Sequence, residues 1–258
     1  MNIIVCIKQV PDTQDIKWSE NNNIVRDGML SILNPQDEYA INNAVKIKNE
    51  IKDVKITALS MGPIQAKNAL KEALALGVDE AFLLCDKKFI GSDTLATGKT
   101  LAKAIQKIGN FDLILCGQYA LDGDTAQTGI TISNFLDIEH ISWANSIKTR
   151  ENEIEVKQEL ENGYNILLAK LPCLVSMSAE NFDKINPRIA DYIKAQNKEI
   201  RILTAEDINI DNNECGMKGS PTWVSNVFRK QTTRKCIEME NFSASDLIKK
   251  INEIKNNE

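Results

Sequence analysis

The sequence predicts an α/β fold whose mostly parallel sheet is doubly wound, with helices on both faces. Short apolar segments typical of buried strands alternate at least four times with segments whose apolar residues recur at helical spacing. The connections are short, which favours right-handed crossovers between parallel strands. After residue 140 the pattern changes to the alternation of a β-hairpin, so the parallel sheet is expected to carry a hairpin insertion.

The elements of the parallel sheet are predicted in order from their apolar pattern. Residues 2–10 form the first strand, and Pro11-Asp12 ends it because proline cannot donate to a strand ladder. The polar residues 19–23 are typical of a hairpin tip, and Asn34-Pro35 opens the first helix. The next helix stops at Gly77, a C-terminal cap position. The later strands are expected at 55–59, 81–85 and 113–116, and the later helices at 64–76, 93–108 and from near Asp124 to Leu136.

The second half of the chain is predicted to hold a hairpin and an arm. Residues 154–158 and 165–169 alternate around Asn162-Gly163, and residues 172–177 form a further apolar strand. From about residue 200 the chain is polar and has too few apolar residues for a core of its own. It ends in an amphipathic helix that carries Leu247, Ile248, Ile251 and Ile254. We therefore predict an α/β domain over residues 1–200 and a C-terminal partner-binding arm over residues 201–258.

Composition and charge exclude several classes of function. The chain has 31 basic and 36 acidic residues, a formal net charge of −5, and no basic block, so nucleic-acid binding is not expected. Its apolar runs are far shorter than the roughly 20 residues that span a bilayer, so no membrane span is expected. Six cysteines without a C-x-x-C pair argue against a metal site and suit a reducing cytoplasm. The N-terminus shows no secretion signal, which also favours the cytoplasm.

The strongest candidate site follows the strand at residues 113–116. In an open parallel sheet, ligands bind beyond the carboxyl ends of the strands, where the strand order reverses. The segment from Leu121 to Gly129 places two acids, two threonines and two glycines between that strand and a helix. Gly123 lets the backbone approach an anion, and the helix start offers free N–H groups to a phosphate or pyrophosphate. The acids suit ribose hydroxyls or helix capping, and Asp124 is expected to be the cap, so spacing alone leaves nucleotide binding open.

Two other features are weaker. Gly91 precedes Gly98-Lys99-Thr100 by six residues instead of the four that a phosphate-binding P-loop requires, and the Gly-Lys pair falls inside a predicted helix. Asp93 and Thr94 start that helix and are candidates for ligand contact, with capping as the equal alternative. His140 is the one histidine of the chain and has no companion base or nucleophile in sequence, so a surface or packing role is favoured.

Five stretches resemble the β subunit of electron transfer flavoprotein, in the family's order over nearly the whole chain. They are Val-Cys-Ile-Lys-Gln-Val-Pro-Asp at residues 5–12, Asn34-Pro35, Ser-Met-Gly-Pro at residues 60–63, Asp-Gly-Asp-Thr-Ala-Gln at residues 122–127, and Gly216 to Thr222. The resemblance implies a Rossmann-like, adenine-nucleotide-binding fold and a heterodimer with an α subunit that holds FAD. It also implies electron transfer between that flavin and an acyl-CoA dehydrogenase or another flavin dehydrogenase.

The resemblance further implies which nucleotide the β subunit binds. Ordinary members bind AMP, whereas in electron-bifurcating members the same pocket holds a second FAD, which takes a hydride from NADH and sends its two electrons along separate paths. The Gly-Asp-Thr-Ala-Gln form at residues 123–127 and the Gly-Ser-Asp-Thr stretch at residues 91–94 look more like the bifurcating branch. Gln118-Tyr119 depart from it, because that branch usually carries a basic residue there.

Site residues are carried over from the resemblance by matching position, and neither catalytic residues nor metal ligands are among them. The implied nucleotide contacts are Cys6, Asn34, Met61, Asp93, Thr94, Thr97, Gly117, Asp122, Gly123, Asp124, Thr125, Gln127 and Thr128. The implied dehydrogenase-docking residues are Pro187, Arg188, Ile189 and Tyr192, in a loop whose sequence is unlike the common versions. A stand-alone adenine-nucleotide-binding regulator is the alternative from another class, but it leaves the arm at 201–258 unexplained.

Overall fold

The structure, a computed structural model, describes residues 1–12, 31–178, 182–223 and 243–255. Its strands are β1 (Asn2–Cys6), β2 (Gln9–Pro11), β3 (Ser31–Leu33), β4 (Lys55–Met61), β5 (Glu80–Leu84), β6 (Leu113–Gly117), β7 (Glu139–Thr149), β8 (Glu153–Leu160), β9 (Gly163–Lys170), β10 (Cys173–Met177) and β11 (Ile200–Leu203). Its α-helices are α1 (Pro35–Glu50), α2 (Lys67–Leu76), α3 (Thr94–Ile108), α4 (Thr128–Leu136), α5 (Ile189–Asn197) and α6 (Ala244–Lys255).

The main sheet has nine strands in the order β11-β5-β4-β1-β6-β10-β7-β8-β9. The pairs from β11 to β7 are parallel, and β7, β8 and β9 form an antiparallel meander at one end. From β1 the chain proceeds to β4 on one side and later returns to β6 on the other, so the strand order reverses between β1 and β6. The predicted doubly wound α/β fold and its hairpin are confirmed, and the reversal point is where such sheets bind ligands.

The core lies on both faces of the sheet, because alternate residues of each strand point to opposite sides. Along β1, Ile3 and Val5 belong to the cluster that includes residues of α1 and α2. Ile4 and Cys6 belong to the cluster that includes residues of α3 and α4. Since both faces are covered, the central strands are apolar throughout their length, which is why the sequence shows them as short uninterrupted apolar runs.

The predicted first strand, residues 2–10, is wrong in its extent. β1 ends at Cys6, and Gln9–Pro11 pairs antiparallel with β3 in a separate two-stranded sheet. The break occurs because the backbone N–H of Lys8 donates to the carboxylate of Asp37, at 2.7 Å, instead of to a neighbouring strand. The hairpin tip predicted at residues 19–23 lies outside the described residues.

The last predicted helix of the parallel part begins later than expected, at Thr128 instead of near Asp124. Asp124 and Ala126 have φ angles of 46° and 54°. These left-handed conformations cannot belong to a right-handed helix, so the segment before Thr128 is a loop. The other predicted helices and strands occur close to their expected positions.

The chain divides into two compact units, Met1–Ser225 and Asn226–Glu258. Within the first unit, residues 200–203 form β11, which pairs with β5 at one edge of the sheet. Of the second unit the structure describes α6, on which Leu247, Ile248 and Ile251 are exposed. The functional division predicted at residue 200 stays a prediction. Among the described residues, no helix combines the length and the apolar character needed to cross a bilayer.

The opposite edge of the sheet is β9. Tyr164, Ile166 and Leu168 alternate along this strand and are all exposed, so they form an apolar row on one face of an edge strand. The Lys157 ammonium lies 4.4 Å from the centre of the Tyr164 ring.

Candidate functional site

The carboxyl ends of β1, β4 and β6 lie side by side and bring three predicted contact residues together. Cys6 pairs with Leu59 of β4 and with Cys116 of β6. Met61 and Gly117 are the last residues of their strands, so they lie at the same edge as Cys6. Burial raises the pKa of the Cys6 thiol well above its ordinary value, and this thiol is therefore neutral. We call this edge the crest of the sheet.

Asp37 fastens the crest from the first turns of α1. Its two carboxylate oxygens accept the backbone N–H groups of Lys8, at 2.7 Å, and of Gly117, at 2.9 Å. Burial raises the pKa of Asp37 to about 7, although the hydrogen bonds from Lys8 and Gly117 act to lower it. A Cβ on residue 117 would lie 2.5 Å from Oδ1 of Asp37, so this position requires glycine. The sequence reasoning missed Asp37, because its partners lie 29 and 80 residues away.

Asn34 connects the start of α1 to the loop after β6. Its side-chain Nδ2 donates to the carbonyl of Tyr119 at 2.9 Å, and its Oδ1 accepts the N–H of Leu121 at 3.3 Å. The side chain is buried. Since both of its polar atoms bind the backbone of residues 119–121, Asn34 positions the loop that carries Asp122 to Thr125.

Lys8 is a site residue that sequence reasoning did not single out. Its Nζ lies 2.7 Å and 2.8 Å from the two carboxylate oxygens of Asp122. In the bifurcating branch that the sequence resembles, a basic residue usually stands where this chain has Gln118-Tyr119. Here the positive charge beside the loop comes from Lys8, which follows β1 and pairs with Asp122. Gln118 itself is buried, and its Oε1 accepts the N–H of Trp143 at 2.7 Å, so its role is structural.

The N-terminus of α4 is open. The prediction that Asp124 caps this helix is wrong, because the N-cap residue is Gln127 and the structure, over the residues it describes, shows no side-chain cap there. Asp124 instead turns the loop, with its N–H donating to the carbonyl of Ala120 at 2.8 Å. No atom of the described residues would lie within 4 Å of a Cβ on Gly123. In the part of the chain that the structure describes, no side chain caps the first N–H groups of α4, and a helix start with free N–H groups is the arrangement that binds anions.

Asp93 and the threonines of α3 form the other predicted part of the site. Asp93 caps α3, its Oδ1 accepting the N–H of Ala96 at 3.0 Å, so the capping alternative is observed. Thr94 is the first residue of α3, and Thr97 lies one turn further; both are half-buried. The prediction that residues 91–100 do not form a P-loop is confirmed, because Gly98-Lys99-Thr100 lies inside α3.

His140 has the packing role that the sequence favoured. It lies within β7, and its Nε2 is 2.8 Å from Oγ of Ser176, a buried residue of β10. Burial lowers the pKa of His140, so the ring is neutral at neutral pH.

The predicted docking residues lie at the start of helix α5 and just before it. Arg188 is the N-cap residue of α5 and pairs with Asp191, Nε to Oδ2, at 2.7 Å. Ile189 is 82% exposed, and Tyr192 is also exposed. The segment from Ile189 is thus a helix, where the resemblance implied a loop. α5 is held by Lys71 of α2, whose Nζ donates to the carbonyl of Gln196 at 2.8 Å.

Comparison with known proteins identifies the family. The family model described as the electron transfer flavoprotein domain matches residues 22–208. The electron transfer flavoprotein subunit beta of Thermoanaerobacterium thermosaccharolyticum is 43% identical over 236 residues, which are 91% of this chain and 90% of that protein. The subunit of the same name from Megasphaera elsdenii is 44% identical over 235 residues, 88% of this chain and 87% of that protein.

A third relative carries a more specific name. The caffeyl-CoA reductase-Etf complex subunit CarD of Acetobacterium woodii is 39% identical over 229 residues, which are 88% of this chain and 87% of that protein. Together with the crest geometry, these identities over most of both chains show that this protein belongs to the electron transfer flavoprotein family, as a β subunit with an electron-transfer role.

Proposed function

We propose that this β subunit binds FAD at the crest and passes electrons from NADH, by flavin-based bifurcation, to an FAD of the α subunit and to a partner dehydrogenase. The observation that carries the proposal is the open N-terminus of α4 beside Gly123, at the point where the strand order reverses. FAD bound there supplies the redox chemistry, because a flavin accepts two electrons from a nicotinamide and releases them singly. The protein supplies binding and orientation.

The pyrophosphate is the part of FAD that the described residues fit best. The first N–H groups of α4 and its positive dipole end attract an anion, and the open space beside Gly123 admits close approach of the phosphate to the backbone. The ammonium of Lys8 adds a positive charge next to this loop. AMP and FAD share an adenosine phosphate, so these features support either nucleotide.

Hydroxyl and carboxylate side chains around the crest suit the ribose and the remaining polar groups. Asp122 and Thr125 are exposed in the loop, and Gln127 and Thr128 begin α4. Asn34 acts by fixing the loop backbone, and Cys6, Met61 and Gly117, at the carboxyl ends of their strands, are proposed to contact the nucleotide. Thr94 and Thr97, in the first turn of α3, are proposed as further contacts.

Two proposals concern the partners, and one concerns the location. The β-subunit identity supports an α subunit, on which we propose that the arm at 201–258 packs. The exposed side chains of Ile189 and Tyr192, with Pro187 and Arg188, are proposed to dock an acyl-CoA dehydrogenase or another flavin dehydrogenase. The name of the Acetobacterium relative, a subunit of a complex with a CoA-thioester reductase, supports a partner of that class. We propose the cytoplasm as the location.

Nucleotide analysis of the heterodimer tests the function. The chain is co-expressed with its α subunit, and bound FAD and AMP are measured after release by acid. Two FAD per heterodimer, together with NADH oxidation, supports bifurcation. One FAD and one AMP supports a simple electron carrier and overturns the bifurcating assignment. A heterodimer with no nucleotide in the β subunit overturns both.

Single substitutions locate the nucleotide within the heterodimer. Asp122→Asn and Thr125→Ala are expected to release the β-site nucleotide and leave the α-subunit flavin in place. Asp137→Asn is the matched control, because Asp137 ends the same helix α4 at its opposite terminus. Unchanged nucleotide content in the first two variants would contradict the site.

A further inference from the structure

The segment Gly216–Thr222 is seated on the loop that leads into α3. The N–H of Gly216 donates to Oγ of Ser92 at 3.1 Å, and the N–H of Met217 donates to the carbonyl of Ile90 at 3.0 Å. The partners are more than 120 residues apart in sequence. These bonds fix a C-terminal segment against the crest side of the fold, where α3 begins.

Backbone geometry shows that the segment Gly216–Thr222 and the loop before α3 approach each other closely. Gly216 has a φ of 60°, and a Cβ there would overlap the carbonyl oxygen of Lys88. Gly91 has a φ of 77°, and a Cβ there would lie 3.2 Å from Cε of Met217. Both positions favour glycine for conformation, and Gly216 also requires it for space. The space requirement at Gly216 shows that the two segments pack closely.

Asp93 is the centre of this contact. Its Oδ2 accepts the N–H of Thr222 at 3.1 Å and the hydroxyl of Thr222 at 2.8 Å, while its Oδ1 accepts the N–H of Ala96. Its own N–H donates to Oγ of Ser220 at 2.8 Å. Burial raises the pKa of Asp93, but the hydrogen bonds from Ala96 and Thr222 outweigh burial and lower the pKa. Each carboxylate oxygen is thus engaged by the protein itself.

We propose that Asp93 is the positioning residue that fastens the C-terminal segment for assembly with the α subunit, and that it is not a nucleotide ligand. The proposal rests on the proposed function, since it assumes the heterodimer. It replaces the nucleotide contact that the resemblance implied for Asp93, and leaves Thr94 and Thr97 as the contacts from α3.

Exposed apolar side chains surround the contact between Gly216–Thr222 and the loop before α3, which we call the joint. They support a protein partner there. The exposed fractions of Ile90, Met217 and Trp223 are 69%, 67% and 76%. Ile90 and Met217 are hydrogen-bonded to each other through the backbone, and Trp223 follows Thr222, which binds Asp93. Leu95, two residues after Asp93, is also exposed. Large apolar side chains gathered in one place on a surface mark interaction sites, and the α subunit is the partner that a β subunit must bind.

The chain offers a matched control for a test. Asp207 accepts the N–H and the hydroxyl of Thr204, at 2.8 Å and 2.7 Å, in the same way that Asp93 accepts those of Thr222. The Asp207 contact spans three residues, whereas the Asp93 contact spans 129. Asp93→Asn and Thr222→Val weaken the long-range contact, and Asp207→Asn and Thr204→Val weaken the local one; each valine removes the hydroxyl hydrogen bond and keeps the backbone one. An asparagine still caps α3 through its Oδ1, so Asp93→Asn separates fastening from helix capping.

Three quantities are measured on the co-expressed heterodimer: the rate of tryptic cleavage after Lys218, the dissociation constant of the two subunits, and the nucleotide content of the β site. Lys218 is exposed within the fastened segment, so cleavage there reports opening of the joint. Asp93→Asn and Thr222→Val are expected to raise the cleavage rate and weaken subunit association about tenfold, the loss of one charge-assisted contact. Nucleotide content is expected to be unchanged, and the two controls are expected to match the wild type.

The outcomes separate this proposal from the proposed function. Loss of β-site nucleotide in Asp93→Asn, with cleavage and association unchanged, would show a nucleotide ligand and overturn the proposal. Wild-type values in all three measurements for both variants would also overturn it. A wild-type heterodimer without β-site nucleotide would overturn the proposed function alone, since cleavage and association still test the fastening. Thr222→Val keeps the test valid if Asp93→Asn does not fold.

Discussion

At each end of the β1–β6 strand pair a carboxylate accepts backbone N–H groups, and these two joints differ in burial. At the amino end, Oδ2 of Asp112 accepts the N–H of Asn2 at 2.7 Å in a partly exposed position. At the crest, Asp37 binds the N–H groups of Lys8 and Gly117 and is buried. The bonds are chemically alike, but only the crest carboxylate is removed from water.

The crest is where this protein has given up stability. A buried carboxylate loses hydration that two backbone N–H groups do not fully replace, and this loss is why the pKa of Asp37 rises to about 7. The joint at the amino end avoids that cost. The unfavourable group lies where the strand order reverses, and there it fixes the geometry of the proposed nucleotide site instead of adding stability.

The largest expected effect is on the pH dependence of stability. The unfolded chain releases the proton of Asp37 near its ordinary pKa of 3.8, and the folded chain releases it at about 7. Between these values the folded state binds more protons, so this group's contribution to the free energy of unfolding falls as pH rises and is constant above 7. The fall amounts to roughly 4 kcal/mol.

Asp37→Asn removes this dependence, and Asp112→Asn keeps it. Urea unfolding of the dilute β subunit at several pH values between 5 and 8 measures the difference between each variant and the wild type. Parallel profiles for wild type and Asp37→Asn would show that Asp37 does not titrate as expected.

The next effect concerns the glycine at the crest joint. A methyl group on residue 117 would lie 2.5 Å from Oδ1 of Asp37 and 2.6 Å from Cβ of Gln36. Gly117→Ala is therefore expected to lower the free energy of unfolding by about 1–3 kcal/mol and to reduce β-site nucleotide content. Gly123→Ala is the control for stability, because its Cβ would lie more than 4 Å from every atom that the structure describes around it. Equal destabilisation by both variants would refute the close approach.

A smaller effect is expected at the amino end. Asp112→Asn can still accept the N–H of Asn2 through its amide oxygen, at the loss of the charge. We expect the free energy of unfolding to fall by about 0.5–1.5 kcal/mol, with nucleotide content unchanged. Loss of nucleotide in this variant would mean that both ends of the strand pair, and not the crest alone, set the site.

The smallest effect on stability is expected for Lys8→Gln. The ion pair with Asp122 is partly exposed, with side-chain exposures of 46% and 33%, and such pairs contribute about 0.2–1 kcal/mol. The backbone N–H of Lys8 still binds Asp37. Nucleotide affinity is nevertheless expected to fall, and to depend less on salt, because a cation beside the loop is lost. Titration of the nucleotide-depleted heterodimer with ADP-ribose at two salt concentrations measures this; equal affinities for variant and wild type would remove Lys8 from the site.

Local patterns predicted most of the fold and part of the site. The apolar runs of β4, β5 and β6 and the helical spacing of α2 and α3 indicate those elements, because each is decided by neighbours in sequence. The predicted start of α4 is too early, since the left-handed conformation of Ala126 has no signal in residue type and aspartate at 124 is equally typical of a helix cap. Asp37 and Lys8 were missed for a different reason: their partners come from other elements, and only the folded sheet brings them together.

The apolar row on the edge strand β9 affects how this chain must be handled. An edge strand offers unpaired backbone donors and acceptors. The exposed apolar side chains of Tyr164, Ile166 and Leu168 on β9 favour association with another copy of this chain. Concentrated solutions of the isolated polypeptide are therefore expected to precipitate over time. Production together with its companion subunit is the practical route to usable material.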